Sequence, residues 1–213
     1  MGVVRIEEKM AGQAPYEGRR LWLAQLISRL TNPLYVAPPL FLTVAIFTAP
    51  DVEAGLLWWL VIGLGLSVAP LLLIRRGVRR GTYSNVHVSR REQRLVPFLF
   101  TGGCMVVVLL ALFLTQAPLP LLAAVTAMIC TLLIALAITQ WARWKISLHL
   151  IGFAGALTTL AVVVAPLFFV SYVLLPLIGW ARWRVRAHTV GQICAGSLLG
   201  LGAPLVVYRL FGL

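Results

Sequence analysis

Residues 119–140 read LPLLAAVTAMICTLLIALAITQ, and none of these 22 positions carries a charged side chain. An α-helix rises about 1.5 Å per residue, so this stretch is long enough to cross the roughly 30 Å of hydrocarbon in a bilayer. The runs 55–74 and 190–207 are also uncharged. The sequence therefore predicts several transmembrane helices.

The composition of the whole chain supports the same class. Of its 213 residues, 61% are hydrophobic and 11% are charged, and the mean hydropathy is +0.95. A soluble domain of this length needs a more polar surface, so we expect an all-α, polytopic integral membrane bundle. The first residues carry Arg5, Glu7, Glu8, Lys9 and Glu17 before any apolar run, so no cleavable signal peptide is expected.

The chain divides into an N-terminal polar segment, 1–32, and a membrane-embedded domain, 33–213. Within the first, residues 19–30 place leucines on one face with arginines beside them, which predicts a helix lying in the membrane interface. Pro166 interrupts the stretch 148–180, so we expect two short helices that turn there, or one re-entrant or broken element. The bundle then has six to seven apolar segments, with approximate bounds 34–49, 55–74, 96–115, 119–140, 148–164, 167–180 and 190–207.

Basic residues are concentrated on one side of the predicted membrane. Lys and Arg number 18 against 6 Asp and Glu, which gives a net charge of +12. The parity of the crossings places the N-terminal segment and three polar patches, 75–94, 141–149 and 181–192, on one side, and only Arg209 among the basic residues lies opposite. The positive-inside rule predicts that this side faces the cytoplasm, in an inner or plasma membrane.

Acidic residues are too few for several membrane chemistries. Asp51 is the only aspartate, whereas enzymes that hold Mg²⁺ through aspartate clusters need several carboxylate oxygens. Cys104, Cys130 and Cys194 lie apart within apolar runs, so we expect small buried side chains rather than metal ligands or disulfides. We expect no metal site and no cofactor. The apolar body favours membrane lipid, and not nucleic acid, as the partner of the basic patches.

The three histidines of the chain lie in three different polar patches. Ionisable groups are costly to keep at a membrane, so their convergence on one side indicates a function. We expect the patches to close on one another and form a single site. Read in order, they contain His87-x6-Arg94, Ser147-Leu148-His149 and Arg182-x5-His188-x3-Gln192.

This ordered set resembles the type 2 phosphatidic acid phosphatase superfamily, whose members share the active-site chemistry of vanadium haloperoxidases. The family pattern is Lys-x6-Arg-Pro, Pro-Ser-Gly-His and Ser-Arg-x5-His-x3-Asp, and the resemblance covers roughly residues 80–200. The order of the motifs and the spacing of the third fit in full. The chain departs from the pattern at His87 in place of Lys, Leu95 and Ile146 in place of Pro, Leu148 in place of Gly, Ala181 in place of Ser, and Gln192 in place of Asp.

The resemblance implies a metal-independent hydrolase of a lipid phosphate or diphosphate. His188 is then the nucleophile that forms a phosphohistidine, and His149 protonates the leaving oxygen and later activates water. Gln192, four residues after His188 on the same helical face, would orient the imidazole of His188. The implied phosphate-binding residues are His87, Arg94, Ser147 and Arg182.

Other functions remain open at the level of sequence. Gln192 carries no charge, so the alternative is a catalytically weak or inactive membrane subunit or scaffold that binds anionic lipid headgroups. A transporter has less support, because the sequence has no inverted repeat and no intramembrane carboxylate. Phosphatidate, phosphatidylglycerol phosphate and polyprenyl phosphates or diphosphates all suit a cationic pocket beside lipid, and the sequence does not choose among them.

Overall fold

The computed structural model describes residues 15–84, 86, 88 and 90–213, and these form helices and loops without a β-strand. A π-helical turn, Leu64–Val68, joins the third and fourth α-helices, and 3₁₀ segments occur at Arg91–Gln93 and Pro166–Leu174. The all-α class is confirmed. The α-helices are α1 (Pro15–Leu30), α2 (Pro33–Thr48), α3 (Val52–Gly63), α4 (Ala69–Arg79), α5 (Leu95–Leu114), α6 (Leu119–Gln140), α7 (Leu148–Val163), α8 (Leu175–Arg184) and α9 (Val190–Leu210).

Five helical stretches in the described part of the chain are long and apolar enough to cross a membrane. A sixth crossing results if α1 and α2, which are bent by 49° relative to each other, form one broken span. The expected polytopic membrane bundle is thereby confirmed. The five stretches are Val52–Arg79, Leu95–Leu114, Leu119–Gln140, Pro166–Arg184 and Val190–Leu210.

The chain turns near Pro166, as the sequence predicts. α7 ends at Val163, and Pro166 begins the 3₁₀ segment that continues directly into α8. Proline has no N–H to donate and is accommodated at the start of a helix, so it begins the new element rather than extending α7. The short α7 therefore stands apart from the longer stretch Pro166–Arg184.

Two glycines bring α9 directly against α7. A Cβ atom on Gly196 would lie 2.8 Å from the carbonyl oxygen of Ser147, and one on Gly200 would collide with the carbonyl oxygen of Ile151. The two glycines are four residues apart, which is the spacing of the GxxxG contact between membrane helices. This close approach sets the polar beginnings of α7 and α9 side by side.

The helix α1 packs on α8 through a narrow face. Ala24, Ser28 and Thr31 are buried, whereas Trp22 and Leu30 on the other faces are 60% and 66% exposed. The helix predicted over 19–30 is present, and its buried face packs against α8. Most of its surface is free to contact lipid or water.

The cysteines are less buried than the sequence predicts. Cys104 and Cys130 are half-buried and Cys194 is exposed. The prediction of buried side chains is wrong because an apolar run in a membrane helix also has positions that face lipid, and these lie outside the protein core without meeting water.

Candidate active site

A cavity of about 230 Å³ opens between α2, α5, α6 and α7. Its wall is apolar over most of its extent, with Leu40 and Phe41 from α2, Met105 from α5, and Met128 and Leu132 from α6. Polar side chains supply the rest of the wall, and no Asp or Glu is among its described residues. The main polar contributors are Asn32, Arg94, His149, Arg182 and His188.

Residues from all three polar patches therefore meet at one cavity. Arg94, His149, Arg182 and His188 all line it and are at most 7% exposed. Ser147, fully buried, precedes Leu148 and His149 in the wall but is not itself part of the lining. His87, also predicted to bind phosphate, lies outside the described residues.

The imidazole of His188 is held through one ring nitrogen. Its Nδ1 lies 3.2 Å from the carbonyl oxygen of Lys145 and 3.2 Å from Oε1 of Gln192. Both partners can only accept a hydrogen bond, so Nδ1 carries the hydrogen and donates it. The lone pair of the neutral ring is then on Nε2, which has no hydrogen-bond partner in the described part of the chain.

Burial lowers the pKa of His188 to about 4. The positive charges of Arg182, Lys145 and Arg94 act in the same direction, and the hydrogen bond to Gln192 acts against them. The side chain is therefore neutral at physiological pH. A neutral imidazole with a free Nε2 lone pair is the form of histidine that can attack an electrophile.

Gln192 contacts His188, but not along a shared helical face. Thr189 is the N-cap of α9, so His188 precedes the helix and the expectation of an i, i+4 contact within one helix is wrong. The same Oε1 atom also accepts from the backbone N–H of Thr189, and the Thr189 hydroxyl accepts from the N–H of Gln192. This is a capping box, which fixes Gln192 and the adjoining His188 together.

His149 is anchored to α1. Its Nε2 atom lies 3.0 Å from the carbonyl oxygen of Ser28, and because a carbonyl only accepts, Nε2 carries the hydrogen. Ser28 lies in the last turn of α1, where backbone carbonyls have no partner within the helix. The hydroxyl of the same Ser28 accepts a hydrogen bond from Nη1 of Arg182.

Several buried donors near the cavity have no partner. Nη1 of Arg94, Nε of Arg182 and the hydroxyl of Ser147 are buried and make no hydrogen bond to any described residue. Leaving a buried charged or polar group unsatisfied costs about 1–3 kcal/mol or more. The part of the site that these atoms occupy is thus suited to a ligand that brings several acceptor oxygens.

Among the described residues, no carboxylate pairs with Arg94, Lys145 or Arg182. Arg94 donates from Nε to the carbonyl of Val88, and Lys145 donates to the carbonyl of Ala187. Burial lowers the pKa of Arg94 to about 10, and burial together with Arg94 and Arg182 lowers the pKa of Lys145. The arginine remains charged at neutral pH, so the site has a positive potential that favours an anion.

In the part of each polar patch that the structure describes, one non-glycine residue lies in the left-handed region of backbone space. These are Val88, Arg143 and Arg186, with φ values of 42°, 51° and 53°. This conformation costs of order 1 kcal/mol for a residue with a Cβ, and most for a β-branched one such as Val88. At Val88 the strained backbone carries the carbonyl that holds Arg94.

Some residues of the site are not recognisable from the sequence. Ser28 and the carbonyls of Lys145 and Val88 act through backbone or short polar groups, and such contacts leave no motif. Asn32 combines a place in the cavity wall with the N-cap of α2. Of these features, only the N-cap could have been predicted from the sequence, because Asn32 is followed by Pro33.

Comparison of the chain with protein-family models, with curated proteins and with solved structures finds no match. Among the described residues, no group of three His, Cys, Asp or Glu side chains is placed to hold a metal ion. The chemical character of the site follows from its own geometry. That geometry combines a neutral histidine, unpaired cationic donors and an apolar cavity.

Proposed function

We propose that this chain hydrolyses a lipid phosphate or diphosphate through a phosphohistidine intermediate. The observation that carries the proposal is the state of His188: it is buried and neutral, its Nδ1–H is fixed by two acceptors, and its Nε2 is unpartnered beside two arginines. The resemblance of the three sequence motifs to the type 2 phosphatidic acid phosphatase superfamily supports the same chemistry.

In the proposed first step, Nε2 of His188 attacks phosphorus and a P–N bond forms as the P–O bond to the leaving group breaks. The leaving oxygen takes a proton from His149, which enters this step as the imidazolium and leaves it as the neutral imidazole. In the second step His149 removes a proton from water, whose oxygen attacks phosphorus and breaks the P–N bond. The products are the lipid alcohol, or the lipid monophosphate from a diphosphate, and inorganic phosphate.

The arginines are proposed to neutralise the charge on the transferred phosphoryl group. Guanidinium groups bind pairs of phosphate oxygens, and Nη1 of Arg94 and Nε of Arg182 are unpartnered donors suited to this. Phosphoryl transfer depends mainly on positioning and charge neutralisation, so two buried cations can supply what a metal ion supplies elsewhere. The apolar wall of the cavity would hold the lipid tail.

A second candidate is a membrane protein that binds anionic headgroups without turnover. The observation that favours it is Gln192, whose neutral amide is also engaged in capping α9. In the serine-protease triad, replacing the orienting Asp by Asn lowers turnover by about 10⁴, which illustrates what a neutral orienting group can cost. The carbonyl of Lys145 acts as an additional acceptor for His188, and this favours the enzyme.

The proposed location is an inner or plasma membrane, with the N-terminus and the site on the cytoplasmic side. The basic patches adjoin the helix ends at which the cavity residues Arg94, His149 and Arg182 lie. Positive residues are retained preferentially on the cytoplasmic side, where each also gains about 1 kcal/mol near anionic lipid. The substrate would then enter from the inner leaflet.

The test is phosphate release by purified protein from a panel of phosphatidate, phosphatidylglycerol phosphate and polyprenyl phosphates and diphosphates, in the presence of EDTA. We expect release from at least one substrate, and its loss in His188→Ala and His149→Ala. Arg186→Lys, an exposed residue two positions before His188, is the matched control and should retain activity. Turnover that EDTA abolishes and Mg²⁺ restores would contradict the metal-independent mechanism. Headgroup binding without release would favour the second candidate.

A further inference from the structure

The last turn of α1 occupies part of the proposed phosphate site. Ser28 alone provides two oxygens to it: its carbonyl accepts from Nε2 of His149, and its hydroxyl accepts from Nη1 of Arg182. An imidazole N–H and a guanidinium N–H are donors of the kind that bind phosphoryl oxygens. The two contacts of Ser28 therefore lie where a bound phosphoryl group would compete for them.

The position of Ser28 at the end of α1 adds to its similarity to a phosphoryl group. The C-terminus of a helix carries about half a negative charge, because its last carbonyls are unsatisfied. In α1 the carbonyls of Ile27 and Arg29 accept from Thr31 and Asn32, whereas that of Ser28 is directed to His149. The carbonyl end of α1, whose last turn also carries the exposed Arg29, thus sits on a site whose described lining residues include no Asp or Glu.

The contact of α1 with the rest of the bundle is limited. Over residues 18–31, whose burial the structure describes, the buried side chains are Ala24, Ser28 and Thr31, and α1 ends in a break of two residues before α2, at a 49° bend. Asn32 caps α2 from its own side chain, so α2 keeps its N-terminal cap if α1 moves. Elements with little buried surface open at low cost in free energy.

We propose that α1 acts as a plug whose Ser28 oxygens stand in for phosphoryl oxygens, and that an incoming phosphate group displaces it. The inference rests on the proposed function, because it assumes that the site binds phosphate. It accounts for why Nε2 of His149 and Nη1 of Arg182 find acceptors on α1, while Nη1 of Arg94 and Nε of Arg182 have none among the described residues. Proton delivery from Nε2 of His149 to a leaving oxygen requires this displacement, since the carbonyl of Ser28 holds that hydrogen.

The first test compares the binding of inorganic phosphate to the purified full-length protein and to Ser28→Ala by calorimetry. A plug competes with the ligand, so loss of its hydroxyl should lower the dissociation constant for phosphate about tenfold. Thr43→Ala removes another hydroxyl that bonds a backbone carbonyl, on α2, and should leave binding unchanged. If Ser28 instead positions Arg182 for the ligand, Ser28→Ala will bind phosphate more weakly or equally, and the plug is then overturned.

The second test follows α1 directly. Ala24 is fully buried on the same face as Ser28, so a cysteine placed there, in a chain whose native cysteines are replaced, reports its opening. Maleimide labelling of Ala24→Cys should accelerate several-fold with saturating inorganic phosphate, and with phosphatidate in phosphatidylcholine nanodiscs if a lipid headgroup acts likewise. Ala123→Cys, fully buried in α6 away from the cavity, is the control for general loosening.

The outcomes separate the plug from the proposed function. Hydrolysis of a lipid phosphate with an unchanged labelling rate of Ala24→Cys overturns the plug and leaves the proposed function intact. Absence of phosphate binding to both the wild-type protein and Ser28→Ala contradicts both. Faster labelling and tighter binding by Ser28→Ala, without any hydrolysis, supports the plug in a protein that only binds phosphate.

Discussion

The neutral state of His188 makes a prediction about the pH dependence of hydrolysis. Its pKa is lowered to about 4 by burial and neighbouring cations, so protonation removes the nucleophile only in strongly acidic solution. Gln192→Glu keeps the length of the side chain and both capping contacts but adds a carboxylate beside Nδ1–H. A negative charge raises the pKa of the imidazole, so the acid limb of kcat/KM should move to higher pH in this variant.

The measurement is the pH profile of kcat/KM for the wild-type protein and Gln192→Glu on one substrate. Ionisation of the substrate phosphate affects both profiles equally, so the difference between them reports the enzyme. The variant should be equally active or faster at neutral pH, because a carboxylate stabilises the imidazolium-like charge that forms on His188 during attack. Superimposable profiles would show that His188 does not titrate in the rate-limiting chemistry.

At Arg182 the planar guanidinium, and not charge alone, is expected to matter. The group combines a contact to Ser28 with an unpartnered Nε, and a lysine cannot reproduce two donors in a fixed plane. Arg182→Lys should therefore lower kcat/KM at least tenfold, in keeping with the roughly 1.5–3 kcal/mol of a hydrogen bond to a charged group. Arg186→Lys should change it less than twofold; equal effects of the two substitutions would contradict a phosphate contact by Arg182.

At the level of elements, the contact between α7 and α9 is expected to be intolerant of a single methyl group. A Cβ on Gly200 meets the backbone carbonyl of Ile151, which cannot rotate away as a side chain can. Gly200→Ala should destabilise the protein by about 1–3 kcal/mol through overpacking, and lower its apparent melting temperature in detergent. Moving α9 away from α7 would also separate Ser147 from the beginning of α9 and reduce activity.

Gly202→Ala on the same helix is the matched control. Nothing lies within 4 Å of a Cβ built there, and alanine is the better helix former by about 1 kcal/mol. Its melting temperature should stay the same or rise. A similar fall in the melting temperature of both variants would mean that α9 tolerates alanine at neither position. The close approach to α7 would then not explain the loss of stability in Gly200→Ala.

The helices themselves were largely predictable from the sequence, and their breaks less so. Long uncharged runs give spans within a few residues of the observed ones, as for 119–140, because every backbone group in a bilayer must be satisfied within the helix. The π-turn at Leu64–Val68 has no such signal. Within the turn, Gly65 packs under Val108 of α5, a contact between segments more than forty residues apart.

For the whole molecule, the side of the membrane that the site faces can be measured by labelling intact cells. In a variant without native cysteines, Thr82→Cys tests an exposed position of the first polar patch and Gln116→Cys tests the α5–α6 turn. An impermeant maleimide should label Gln116→Cys and leave Thr82→Cys unmodified until the cells are opened. The reverse pattern would place the site on the outer face and imply an outer-leaflet substrate.

Four predicted site residues line one cavity: Arg94, His149, Arg182 and His188. Their meeting follows from where the chain crosses the membrane, so the spacing of the motifs and the parity of the crossings could predict it. The role of α1 could not be anticipated in this way. Its sequence predicts an interfacial helix with an apolar face of leucines, whereas Leu23, Leu26 and Leu30 are exposed and the packing of α1 on α8 brings Ser28 to the site. Motifs identify residues that perform chemistry, whereas the groups that hold those residues are set by tertiary structure.

The π-turn in the span Val52–Arg79 fixes the rotational register between its two halves. A π-turn holds one residue more than an α-helical turn, and each residue of an α-helix turns it by about 100°. Leu66, within the turn, and Ile74, beyond it, both line the cavity. Loss of a single residue there would shorten the span by about 1.5 Å, which a membrane tolerates, yet rotate one half of it by more than a quarter turn. The length of this segment is therefore constrained by the shape of the cavity and not by the thickness of the bilayer.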